Sequence, residues 1–179
     1  GFDPEDFQID ADLPFVKAIA NSERFASLEV TDYIKDNRKE LEMQFAAITI
    51  HLPGDILFLS FCGTDSTLLG WKENFNMSFQ DNVPAQCAAL SYTANALKMY
   101  PETKGLYLGG HSKGGNQALY AACMLSDEAW EKVIRVFLLD GPGFCPEVMD
   151  LSLIDRIDPK STRIIPEFAV HFNLLLCLI

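Results

Sequence analysis

The chain has 179 residues, a length that suits one domain, and its 49% apolar and 22% charged content is that of a soluble globular protein with a full core. Its 25 acidic and 14 basic side chains give a net charge of −11. That balance argues against nucleic acid as a partner, because phosphate binding relies on Lys and Arg, and against docking on an anionic membrane surface. The five cysteines are odd in number, have no C-x-x-C spacing and in part lie in apolar runs. They read as buried free thiols of a reducing compartment. The chain begins at Gly1 and stops on the bare apolar run Leu174–Ile179, so both ends of this single domain (1–179) read as cut. With no basic, apolar leader and no run near the ~20 residues of a spanning helix, a cytoplasmic protein without a transmembrane segment is expected.

Leu13 to Phe25 is predicted to be a helix with an apolar face of Phe15, Ile19 and Ala20. Phe45–Ile50 and Ile56–Phe61 are predicted strands, and Pro53-Gly54-Asp55 between them is short enough to make a hairpin. Pro84 opens a helix to about Met99, with Ala85, Ala88, Ala89, Tyr92, Ala96 and Met99 on one face. Gly105–Gly109 is a short buried strand, Gly114–Met124 a helix and Val133–Leu139 a strand. The last of these is apolar enough to be covered on both faces. Thr162–Ile165 is predicted to be the next strand. This alternation implies an α/β fold of the α/β-hydrolase type. Its sheet is mixed and mostly parallel, with helices on both faces and a leading antiparallel hairpin.

Between a strand and a helix stands Gly110-His111-Ser112-Lys113-Gly114, the G-x-S-x-G pattern in the context that gives it meaning. The turn must be sharp enough to lift the Ser112 hydroxyl out of the sheet, so the residues two before and two after must be small. A serine held there at a helix N-terminus is a candidate nucleophile, with the Lys113 N–H as a donor to developing negative charge. A phosphate-binding loop is disfavoured, since neither G-x-x-x-x-G-K-[ST] nor G-x-G-x-x-G follows the strand. His111, inside the elbow, is expected to pack or hydrogen-bond beneath the loop. At the end of the hairpin, Gly63 and Thr64 are placed for the second oxyanion donor; a plain turn capped by Asp65 or Ser66 is the alternative.

Four ordered motifs, F-x-G-T-D, G-W-K-E-N-F-N-M-S-F, G-G-H-S-K-G-G-N and L-L-D-G-P-G-F, span about Leu13 to Pro166. Together they resemble the Mbeg1-like family, of α/β-hydrolase fold related to the class 3 lipases. The resemblance implies Ser112 as nucleophile, the Gly63-Thr64 loop as oxyanion donor, and Gly70–Phe79 as part of the site's wall or lid. The chain departs from the family at Cys62, where the family usually has Arg. It also lacks the family's late His followed by Asp near a Trp.

The triad acid is open between Asp140, which closes the strand after the elbow helix, and Glu167; the alternative for Asp140 is a plain Asp-Gly turn. His51 precedes the nucleophile and reads as structural. His171 has the right chain order for a base but follows the last predicted strand closely, so the base is His171 or lies beyond Ile179. No cofactor is expected, and no metal, since no His/Cys/Asp/Glu cluster has ligand spacing. The expected activity is hydrolysis of a small-molecule or lipid carboxylic ester through an acyl-enzyme on Ser112. A catalytically impaired binding module of the same fold and an acyltransferase using the same elbow are the alternatives.

Overall fold

The computed structural model describes residues 9–64, 76, 83–144 and 151–167. Six strands form one sheet in the order β1 to β6: β1 Glu29–Arg38, β2 Met43–Leu52, β3 Ile56–Phe61, β4 Gly105–His111, β5 Val133–Leu139 and β6 Ser161–Ile164. The pairs β1–β2 and β2–β3 are antiparallel, and β3 through β6 run parallel. The helices are α1 Ile9–Ala20, α2 Pro84–Met99, α3 Lys113–Cys123, α4 Asp127–Glu131 and α5 Leu151–Ile157. The mixed α/β sheet expected from the alternation of elements is therefore present.

The expected hairpin is present as β2 and β3, and β1, which precedes it, extends it to a three-stranded antiparallel meander. The sequence of β1, EVTDYIKDNR, reads as polar, as suits a mostly exposed strand at the edge of the sheet. A bulge between Thr31 and Ile34 further breaks its alternation, with Asp32 at φ 54°. Three hydroxyls hold that strained residue. Tyr92 donates to its carbonyl at 3.1 Å, and Thr31 and Tyr100 each donate to its carboxylate at 2.9 Å.

Helix α1 begins earlier than expected and stops at Ala20, where the Asn21 side chain bonds the Lys17 carbonyl and the Ser22 hydroxyl accepts the Phe25 N–H. Its supposed core face is exposed, with Phe15 at 66%. In α2 the buried stripe is Ala85, Gln86, Ala89, Thr93 and Ala96, and Met99 is 59% exposed rather than on it. Strand β5 is not fully covered on both faces, since Ile134 and Leu139 reach solvent.

The core lies between the sheet and the packed helices α2 and α3, with Phe45, Leu59, Phe61, Leu106, Leu108, Leu119 and Leu138 fully buried. Burying side chains of this size contributes roughly 1.5–3 kcal/mol each, which makes this layer the main source of stability. The alternate residues Phe58, Tyr107 and Phe137 form a ring cluster on the opposite face, with centroids 6.0–6.4 Å apart. No helix among the described residues is long and apolar enough to cross a membrane. The thiols are not uniformly buried as expected. Cys123 is buried, but Cys62, just past β3, and Cys87, on the outside of α2, are exposed.

Candidate active site

Ser112 is the one residue between β4 and α3, and its backbone sits at φ 55°, ψ −126°. A non-glycine residue adopts that conformation only where the surroundings impose it. Here the Ser112 N–H donates to the Leu139 carbonyl at 2.8 Å, and its carbonyl accepts from Gly115 at 2.9 Å to start the helix. The two flanking glycines are required by space. A Cβ on Gly110 would lie 2.5 Å from the Phe61 carbonyl oxygen and from Gly114, and one on Gly114 would collide with that same oxygen. The elbow is therefore pressed against the end of β3. Ser112 is 8% exposed and Lys113 fully buried.

The loop leaving β3 lies beside the serine. A Cβ on Gly63 would be 3.6 Å from the Ser112 Cβ and 2.8 Å from the His111 carbonyl oxygen. Only glycine lets the loop come this close. Next to it, Thr64 Oγ1 is buried with no hydrogen-bond partner, a hydroxyl with a donor to spare. Cys62, the residue before, donates its N–H to Ala46 at 2.9 Å, which ties the loop to β2. Although Cys62 as a whole residue is exposed, desolvation of its sulfur pushes the thiol up, against the pull of the Lys113 ammonium, so the sulfur stays protonated at neutral pH.

Asp140 follows the last paired residue of β5. Its N–H donates to Ile164 at 2.8 Å, and its φ of 51° marks a second strained position at the same sheet edge. Its neighbours in the chain both meet the elbow. Leu139 accepts the Ser112 N–H, and a Cβ on Gly141 would be 3.1 Å from the Ser112 carbonyl oxygen. The loop is pinned from below by Asn116, whose Nδ2 donates to Pro142 at 3.1 Å and Gly143 at 3.0 Å. Asn116 Oδ1 accepts from Gln86 Nε2 at 2.7 Å, and Gln86 Oε1 in turn accepts the Val83 N–H at 2.9 Å. A continuous buried polar chain thus runs from the start of α2 to the loop carrying Asp140.

Ser112, Lys113, Gly63, Thr64 and Asp140 are therefore brought to one sheet edge. The remaining candidates are not. His51 is at the far end of β2, paired with Leu57, and its Nε2 is 2.9 Å from Thr31 Oγ1. Its ring meets Tyr100 edge-on at 4.8 Å, in keeping with the structural role expected of it. His111 is exposed and does not pack beneath the loop, because the last residue of β4 turns its side chain away from the filled space under the elbow. Glu167 is exposed beyond β6. His171, Asp65, Ser66 and the Gly70–Phe79 wall lie outside the described residues, save Asn76, whose Nδ2 donates to Glu42 at 2.9 Å. Sequence reasoning missed Gln44, Gln86 and Asn116. All three are buried amides, and a buried amide is retained only where it is bonded.

Solved structures that resemble the fold include two lipases. One is a fungal lipase from a lipase–inhibitor complex, at TM-score 0.62 and 15% identity, over 92% of this chain and 68% of that one. The other is M37 lipase, at TM-score 0.59 and 14% identity, over 90% of this chain and 60% of that one. Identity this low establishes the lipase-like fold alone. Curated protein sequences include no match. The Mbeg1-like family profile matches residues 19–176, nearly the whole length, and the chain belongs to the Mbeg1-like family.

Proposed function

We propose that this chain is a serine hydrolase that cleaves carboxylic esters through an acyl-enzyme on Ser112. The observation that carries the proposal is the left-handed strain at Ser112, held between two glycines with the Gly63-Thr64 loop against it. Ser112 Oγ attacks the ester carbonyl and its proton passes to a histidine that follows Asp140 in the chain. The alcohol leaves with that proton, and water then releases the acid and restores the serine. The Lys113 and Thr64 N–H groups hold the oxyanion, with the partnerless Thr64 hydroxyl beside them. Asp140 is the acid that orients the histidine. It sits one strand from the serine on a loop pinned by Asn116, whereas Glu167 is exposed and lacks such support. His171 has the chain order required of the base. The likeness to lipases favours esters with a lipid acyl chain.

A fluorophosphonate probe followed by peptide mass spectrometry tests this. The expected result is label on Ser112 alone, abolished in Ser112→Ala. Label elsewhere with Ser112 untouched refutes the assignment. A binding module that has lost turnover is favoured by one observation: His51 is committed to Thr31 at the far end of the sheet, and His111 lies within the elbow itself. An intact fold with no labelled serine is the result that module predicts.

A further inference from the structure

We infer that Lys113 and Gln44 form a positioning relay that aims both oxyanion donors, an inference that rests on the hydrolase reading of Ser112. Lys113 is the first residue of α3 and fully buried, and its Nζ donates to the Gln44 carbonyl at 2.7 Å and to Gln44 Oε1 at 2.8 Å. An ammonium has donors only, so it dictates which end of the Gln44 amide faces it. With Oε1 taken, Nε2 is turned toward the oxyanion loop and donates to the Gly63 carbonyl at 3.4 Å. That bond sets more than one atom. The Gly63–Thr64 peptide is planar and trans, so its N–H points opposite to its C=O. Drawing Gly63 O toward Gln44 on β2 therefore turns the Thr64 N–H away from β2. Gly63, beside the Ser112 Cβ, fixes where that peptide lies.

One residue thereby serves both donors. The Lys113 backbone N–H is one of them, and its side chain acts through Gln44 on the other. Gln44 stands where β2 runs past the end of β3, at the level of the loop, and is itself buried. Both are positioning residues, since neither side chain reaches the reacting atoms in this arrangement. The relay also accounts for a lysine at a fully buried position: burial of an ammonium is tolerated only where its N–H groups are bonded.

Two variants separate aim from folding. Gln44→Glu keeps an acceptor for the Lys113 ammonium but cannot donate to Gly63 O, and Lys113→Met keeps the backbone N–H but cannot orient Gln44. Losing one oxyanion donor costs about 10²–10³ in kcat, so a misdirected one should cost about tenfold or more, with KM for p-nitrophenyl butyrate within about twofold. The double variant should lose no more than the worse single variant, because both break the same chain. All are made in the full-length protein, with Ser112 labelling by fluorophosphonate measured alongside. A parent that does not label at Ser112 overturns the hydrolase reading. A labelled parent whose folded Gln44→Glu variant keeps kcat within about twofold, or loses only in KM, overturns the relay alone.

Discussion

Gly114→Ala is the sharpest test of the elbow, because helix propensity and packing predict opposite signs. Within a helix the change should stabilise by about 0.8–1.0 kcal/mol. The structure predicts the reverse. A Cβ there meets the Phe61 carbonyl oxygen head-on, with the Phe61 carbonyl carbon 2.8 Å away and that of Cys62 3.0 Å away. These are backbone atoms at the end of a central strand, so they cannot swing aside as a flexible side chain could. Overpacking costs typically about 1–3 kcal/mol, and a rigid neighbour puts this case at the upper end. For a domain of this size each kcal/mol moves Tm by about 2–4 °C, so a fall of roughly 5–10 °C is expected. The strain also displaces the Phe61–Cys62 segment that leads into Gly63, so ester turnover should fall with stability. Gly115→Ala is the comparator. Its Cβ would lie 3.0 Å from the Gly110 carbonyl oxygen, a milder contact with a smaller expected loss. Thermal unfolding followed by circular dichroism measures both. A Gly114→Ala protein melting at or above the parent would show that elbow and strand are not pressed together, and the packing argument for the motif would fail.

Asn116→Leu should destabilise by about 2–4 kcal/mol, because it strands the Gln86 amide and frees the Pro142 and Gly143 carbonyls. Hydrogen exchange should then quicken at the start of α2, and unchanged protection there would refute the shared chain. His51→Ala and His111→Ala should each keep ester turnover within about threefold, and a loss above about a hundredfold in either would place the base there. The Cys123 thiol is pushed up to about 12 by burial, Arg156 pulling the other way, against an ordinary 9.0. The folded state keeps this proton where the unfolded chain releases it. Stability should therefore fall as pH rises from about 9 toward 12, by about 2 kcal/mol near pH ~10.5. Urea midpoints should show this alkaline fall flattened in Cys123→Ala, and an equal fall in both proteins would refute the buried-thiol account.

The parallel half of the sheet was legible in the sequence because its signals are local. Val133–Leu139 is an apolar run of strand length, Pro84 carries its own helix start, and Gly110–Gly114 spells a turn that only small residues permit. The candidate nucleophile, Ser112, was read from the same short window. Strand β1 was not legible, since an edge strand answers to its partner β2 and to the hydroxyls that hold Asp32, not to its own hydrophobic period. The exposure of Phe15, Met99 and Cys62 was likewise out of reach, because a helical or apolar pattern says which residues share a face and not whether anything covers it.

What only the tertiary structure decided is the support beneath the site. Lys113, Gln44 and Gly63 come from an elbow, an antiparallel strand and a loop, and Gln86, Asn116 and Pro142 come from two helices and a loop beyond β5. No spacing rule links such residues, because each pair is joined by a hydrogen bond across elements and not along one. The sequence could name the serine because strain at one turn is a local demand. The amides that hold its surroundings in place answer to burial, which exists only once the chain has folded.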